Sequence, residues 1–165
     1  MQFIFKLMDE ADASAIQAWN YEEPYRVYNW EAEDDISGML DRRSPHYTVK
    51  DEQDEMIGFF SYGSSAEPWN SDEPFLYNEN NTITVGLGMR PDLTGKGLGL
   101  AFVNAGLDFA REQFKPDHFR LFVMTFNDRA IQVYERAGFQ RVGIFVQHNP
   151  NGDREFLEMR RVIKD

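Results

Sequence analysis

Apolar and polar positions alternate from the first residues of the chain. Over residues 2–8, Phe3, Phe5 and Leu7 fall on one side of an extended segment, which predicts a strand. The period then changes: residues 9–19 place acids in a first turn and alanines behind them, the pattern of a short helix. Residues 21–30 read as a loop or short helix interrupted by Pro24, and residues 33–41 predict a second helix. Alternation returns at 46–50 and 56–62, a hairpin turning through the acidic run 51–55. Residues 64–81 hold two prolines and many polar side chains and read as a long loop, and a strand follows over 82–89. Residues 98–114 predict a helix whose Leu98, Phe102, Ala105 and Phe109 step by four, three and four along one face. A strand at 119–124 precedes a helix at 127–137 that Gly138 stops. Residues 139–147 and 155–163 form a last hairpin turning at Asn149-Pro150-Asn151-Gly152. This order predicts a mixed α/β (α+β) sheet with helices packed on it.

Composition narrows the function. The 165 residues fit one domain spanning 1–165. There is no cysteine, which excludes disulfides and thiolate metal sites. His46, His118 and His148 are too far apart in sequence to suggest ligand spacing, so no metal is expected. The net charge of −11 disfavours a nucleic-acid partner, whose phosphates call for Lys and Arg, and favours cationic ones. The first residues lack the basic start and apolar run of a signal peptide, and no apolar stretch reaches membrane-spanning length, ~18 residues. The expectation is a soluble cytoplasmic protein. Aromatic residues make up 15% of the chain, so rings must fill a core or line a site.

Two motifs carry candidate chemistry. The first, Arg90-Pro91-Asp92-Leu93-Thr94-Gly95-Lys96-Gly97-Leu98-Gly99, lies between a predicted strand and an amphipathic helix. Alternating glycines leave no Cβ in the way of a close approach. Successive N–H groups at a helix start make an anion site suited to a pyrophosphate, with Lys96 and Arg90 as nearby charge. It is not a Walker A loop, because Gly97 follows Lys96 and Arg90 stands at the first glycine position; Phe102 breaks a Rossmann fingerprint begun at Gly97. The second motif runs from Asn127 to Phe139, with Asn127 a good N-cap and Gly138 a good C-terminal stop. Tyr134 follows Asn127 by nearly two turns, so both share a face with the small Ala130 between them. A phenol there is either a core residue with a satisfied hydroxyl or a proton donor in a cleft.

Together, in order and setting, the two motifs resemble the GNAT acyltransferase superfamily. Met89-Arg90-Pro91, Gly97 and Gly99 match its first signature, and Asn127, Ala130, Tyr134, Gly138 and Phe139 match its second without a gap. Thr94 stands where the family usually has Gln or Arg. Phe122 stands where the ribosomal-protein branch has a catalytic Glu, and residues 83–89 lack the carboxylate that serves other members as base.

The resemblance implies a mostly antiparallel seven-stranded sheet, helices on both faces, and a splayed parallel strand pair at the cofactor cleft. Acetyl-CoA would lie between strands 82–89 and 119–124, its pantetheine arm along Leu87, Gly88 and Met89. Its pyrophosphate would sit on Thr94, Gly95, Lys96, Gly97, Leu98 and Gly99, and Asn127 would touch the arm. The N–H near Met89 would polarise the thioester carbonyl, and Tyr134 would protonate the departing thiolate. The acceptor would be an amine on a small molecule or peptide, expected to be a small cation. Its pocket would come from two ring-rich loops, one with Trp19, Tyr21, Tyr25, Tyr28 and Trp30, the other with Trp69, Phe75 and Tyr77. Core capping or a homodimer surface is the other use of those rings. No base is singled out: Glu22, Glu23, Glu67, Asp72, Glu73 and Glu79 all read as solvated carboxylates. Two further readings stand beside this one: a non-catalytic acyl-CoA-binding module, and an acetyltransferase of protein N-termini or lysines.

Overall fold

The computed structural model describes residues 1–163. Seven strands form one sheet in the order β1-β2-β3-β4-β5-β7-β6. They are β1 (Ile4–Leu7), β2 (His46–Lys50), β3 (Met56–Tyr62), β4 (Thr82–Met89), β5 (His118–Met124), β6 (Gln140–Asn149) and β7 (Gly152–Val162). Every neighbouring pair is antiparallel except β4 with β5. That parallel pair is short: Thr82, Ile83 and Thr84 face His118, Phe119 and Arg120, and the two strands then part.

Three α-helices, α1 (Glu10–Gln17), α2 (Gly99–Phe114) and α3 (Asp128–Arg136), complete the fold. The alternation of β3 assigns their places. Phe60 and Tyr62 point to one face, where Phe60 meets Phe102 of α2 at 4.7 Å between ring centroids. Phe59 points to the other, where α1 supplies Ala13 and Ile16 to a smaller apolar cluster. Helices therefore cover both faces, as the resemblance implies. No helix among the described residues is long and apolar enough to cross a membrane.

The apolar face of α2 is Phe102, Val103, Gly106, Leu107 and Ala110, a stripe rotated from the one read in the sequence. Leu98 and Ala105 are only partly buried. Closeness as well as hydrophobicity sets the stripe, because Gly106 lets the Phe60 ring lie on the helix backbone. A Cβ at Gly106 would stand 2.1 Å from the Phe60 ring, and the Tyr62 hydroxyl donates to the Gly106 carbonyl at 2.8 Å. Gly106→Ala would gain up to ~1 kcal/mol of helix propensity and lose about 1–3 kcal/mol to overpacking. The expected net is a lower urea midpoint at unchanged slope; an unchanged or higher midpoint would mean that the ring yields without cost.

One predicted helix is missing. Residues 33–41 form only a single 3₁₀ turn, Ser37–Leu40. The Asp34 carboxylate accepts from the Glu31 N–H and the Asp35 carboxylate from the Ser37 N–H, so side chains take the backbone bonds a helix would need. The alternation over residues 2–8 puts Phe3, Phe5 and Leu7 on one face. Phe3 and Phe5 do pack on the core, whereas Leu7 is exposed at the strand end.

Candidate active site

Where β4 and β5 part, a cavity of about 560 Å³ opens between them. Its walls are β4 from Val85 to Met89 and β5 from Leu121 to Met124. The β5-facing edge of β4 has no strand partner beyond Thr84. Arg90 donates its N–H to Ile57 of β3, and Thr84 gives its carbonyl to Gly63. Backbone groups of successive strand residues point to opposite edges. The N–H and C=O groups of Leu87 and Met89 therefore face the gap. One of them is engaged: the Tyr21 hydroxyl donates to the Met89 carbonyl at 2.5 Å.

The glycine turn closes one end. After the 3₁₀ turn Pro91–Leu93, Gly95 and Gly97 adopt φ of +72° and +79°, the left-handed region that favours glycine. A Cβ on Gly97 would meet no protein atom within 4 Å, so the turn is bare on that side. At Gly99 a Cβ would come within 3.3 Å of Val133, which explains how α2 and α3 approach closely. Thr94, Gly95, Gly97 and Gly99 line the cavity, as do Leu87, Gly88 and Met89. Lys96 and Leu98 are not among the lining residues. Arg90 is also turned away, paired with Asp92 at 2.6 Å and donating to the Met56 carbonyl at 2.9 Å. The charged side chain that lines the cavity beside the turn is Arg129, which neither motif singles out. Its Nη1 would lie 3.2 Å from a Cβ on Gly95, and its guanidinium stacks over Tyr25 at 4.3 Å. Its position in the first turn of α3, two residues after Asn127, was the available signal.

Helix α3 presents Asn127, Ala130 and Tyr134 to the cavity, so the shared face read from the spacing exists. Asn127 caps the helix by accepting from the Ala130 N–H at 3.1 Å, and its Nδ2 donates to the Tyr28 hydroxyl at 3.1 Å. Tyr134 packs edge-on against Phe139. Burial raises the Tyr134 phenol well above its ordinary pKa, with Tyr28 adding to the shift. Burial also pushes Tyr21 up to about 12 and raises Tyr28. All three stay protonated at neutral pH.

Of the two ring-rich loops, only the first reaches the cavity. Trp19, Tyr21, Tyr25, Tyr28 and Trp30 line it. Trp69, Phe75 and Tyr77 do not. Trp69 packs between Phe122 and Phe145, and the Tyr77 hydroxyl donates to the Phe114 carbonyl. The second loop carries another correction. Glu67 is not solvated: its side chain is fully buried and forms an ion pair with Arg120. Arg120 also donates to Thr84 Oγ1 at 3.1 Å, on the last rung before β4 and β5 part.

A sheet that splays between parallel strands, a bare glycine turn at the mouth and a helix lending Asn and Tyr define an acyl-CoA N-acyltransferase architecture. The model of the acetyltransferase (GNAT) family matches residues 5–139, and the chain belongs to that family. Among curated proteins it is 41% identical over 64 residues to mycothiol acetyltransferase of Propionibacterium freudenreichii subsp. shermanii, covering 39% of this chain. It is 40% identical over 62 residues to the mycothiol acetyltransferase of Salinispora tropica, covering 38% of this chain. In each case the match spans only 20% of the relative's length. Among solved structures, the spermidine N-acetyltransferase from Vibrio cholerae in complex with CoA and spermine superposes with a TM-score of 0.70 at 20% identity. That match covers 98% of this chain and 95% of that one. A chimera of that enzyme and hSSAT gives 0.76 at 18% identity, covering 98% and 96%. At such identities the structural likeness concerns the fold.

Proposed function

We propose that the chain transfers the acetyl group of acetyl-CoA to the primary amine of a small acceptor that is cationic in solution. The observation that carries this reading is the unpaired edge of β4 at Leu87 and Met89, which runs from the glycine turn into the parting of the strands. An extended pantetheine arm can pair with such an edge as an added strand does, alongside Leu87, Gly88 and Met89. The N–H groups of the 94–99 turn, from Thr94, Gly95, Lys96, Gly97, Leu98 and Gly99, then suit the pyrophosphate. Arg129 adds formal charge there. Asn127 reaches the arm by exchanging its bond to Tyr28. Acetyl-CoA is a substrate in this scheme and supplies an activated acyl group.

In the transfer, the amine nitrogen forms the C–N bond as the C–S bond breaks, and the sulfur leaves as a thiolate. The Met89 N–H, facing the gap, stabilises the charge that builds on the carbonyl oxygen. Tyr134 gives its proton to the sulfur, and the proton lost from nitrogen restores the phenol. The family relatives whose names specify mycothiol and spermidine support an amine acceptor of modest size. The net charge of −11 favours approach of a cation.

The cofactor half of this reading is tested at Gly97. Valine there places a branched side chain in the bare side of the turn and disfavours the left-handed backbone. Calorimetry should show CoA affinity reduced ~10-fold or more, about 1.4 kcal/mol, in a variant whose melting transition remains cooperative. A folded Gly97→Val protein with unchanged affinity would place CoA elsewhere. The catalytic half is tested by thiol release from acetyl-CoA in the presence of primary amines. Tight CoA binding without release would favour the non-catalytic module, a reading that draws on the lack of any carboxylate lining the cavity among the described residues.

A further inference from the structure

The cavity's chemistry is lopsided. Away from the glycine turn it is walled by rings: Trp19, Tyr21, Tyr28 and Trp30 of the first loop, and Phe59 of β3. Trp19 and Phe59 stand 6.1 Å apart, and Tyr21 meets Tyr28 edge-on at 6.5 Å. The titratable groups facing this space are few. The first loop offers the phenols Tyr21, Tyr25 and Tyr28, and α3 offers Arg129 and Tyr134. Helices α1 and α2 and strands β3, β4, β5 and β7 contribute no titratable side chain to the lining among the described residues. The buried Glu67 is not among the lining residues and is held by Arg120, whose guanidinium stacks over the Phe122 ring at 5.1 Å. Among the described residues, the only formal charge lining the cavity is therefore positive.

Resting on the acetyl-transfer reading above, we propose that the acceptor is a monoamine with an aromatic or apolar body, taken up as the neutral amine. A polyamine with two or more ammonium groups would need carboxylates to replace the water it loses, and the lining has none. A ring or short alkyl body gains by burial among Trp19, Phe59 and Trp30. The same desolvation disfavours the ammonium form of the reacting nitrogen. The pocket thus selects the nucleophile already deprotonated, and solvent, not a protein carboxylate, takes that proton before binding. Neutral phenols at Tyr21, Tyr28 and Tyr134 fit this, since none supplies a negative charge to hold a cation in place. The acidic exterior still draws the cation to the mouth, where it gives up its proton.

The test measures thiol release by the full chain with 2-phenylethylamine, with ring-substituted benzylamines of graded pKa, and with spermidine and putrescine. CoA binding is followed separately by calorimetry. The aromatic monoamines should exceed the polyamines in kcat/KM by ~10-fold or more, as expected for burying one apolar group. The pH at which kcat/KM levels off should move with the pKa of each free amine. Preference for spermidine or putrescine would overturn the proposal. So would one common midpoint for all the amines, which would reveal a base on the protein. Bound CoA with no thiol release for any amine would overturn the acetyl-transfer reading itself, and this proposal with it.

Discussion

Tyr134→Phe is expected to keep acetyl-CoA affinity and lower kcat by about 10²-fold or more, the usual contribution of a positioned acid. The substitution removes one oxygen and leaves the ring, which packs against Phe139 and the core. Folding should be little affected, because the hydroxyl makes no hydrogen bond within the protein among the described residues. Burial raises the phenol's pKa, so it is protonated across the working range, the state an acid needs. Its loss leaves the thiolate to depart unprotonated. The kinetic signature is specific: kcat and kcat/KM fall together while the CoA dissociation constant holds. Equal kcat in the two proteins would return Tyr134 to a purely structural part.

Arg120→Met is expected to be the most destabilising of the single substitutions considered, by about 3–5 kcal/mol, because it strands a buried carboxylate. Glu67 is fully buried, and its Oε1 has no partner even with Arg120 present. Burial raises its pKa while the Arg120 guanidinium opposes that rise. Without the cation, Glu67 relieves its burial only by binding a proton. Its folded pKa is then above its unfolded one, so the folded state holds the extra proton. Stability must therefore fall as pH rises through the folded pKa and recover on acidification. Urea unfolding of Arg120→Met across pH 5–8 should show that slope, and adding Glu67→Gln should return part of the loss. A single variant within about 1 kcal/mol of the parent, flat in pH, would mean that water already reaches the pair. The pair stands on the last β4–β5 rung, so the same variant reports on what holds the strands together where the cavity begins.

The glycine turn and the α3 face were legible in the sequence because each part is a local device. The strand read over 82–89 matches β4 at its observed bounds, glycines at a strand-to-helix junction mark the turn, and an N-cap followed by a helical spacing marks the Asn127–Tyr134 face. What stayed hidden depends on distant partners. Ala66-Glu67-Pro68-Trp69 reads as a polar loop, and only Arg120, 53 positions away, explains its burial. Trp69 looked like a pocket ring, yet Phe122 and Phe145 claim it. The Tyr21–Met89 bond spans 68 positions and left no trace in either local pattern. The missing helix at 33–41 failed for a local reason, since Asp34 and Asp35 bond the backbone themselves.

Acetyl transfer from acetyl-CoA to an amine leaves a distinctive pair of products. The most direct measurement is the mass of the products formed from acetyl-CoA labelled in its acetyl carbons, with 2-phenylethylamine and a small set of other primary amines. The expected result is label in an amide of the amine, mole for mole with free CoA thiol, and its near disappearance in Tyr134→Phe. Free thiol with the label in acetate, or labelled amide formed equally by Tyr134→Phe, would contradict it.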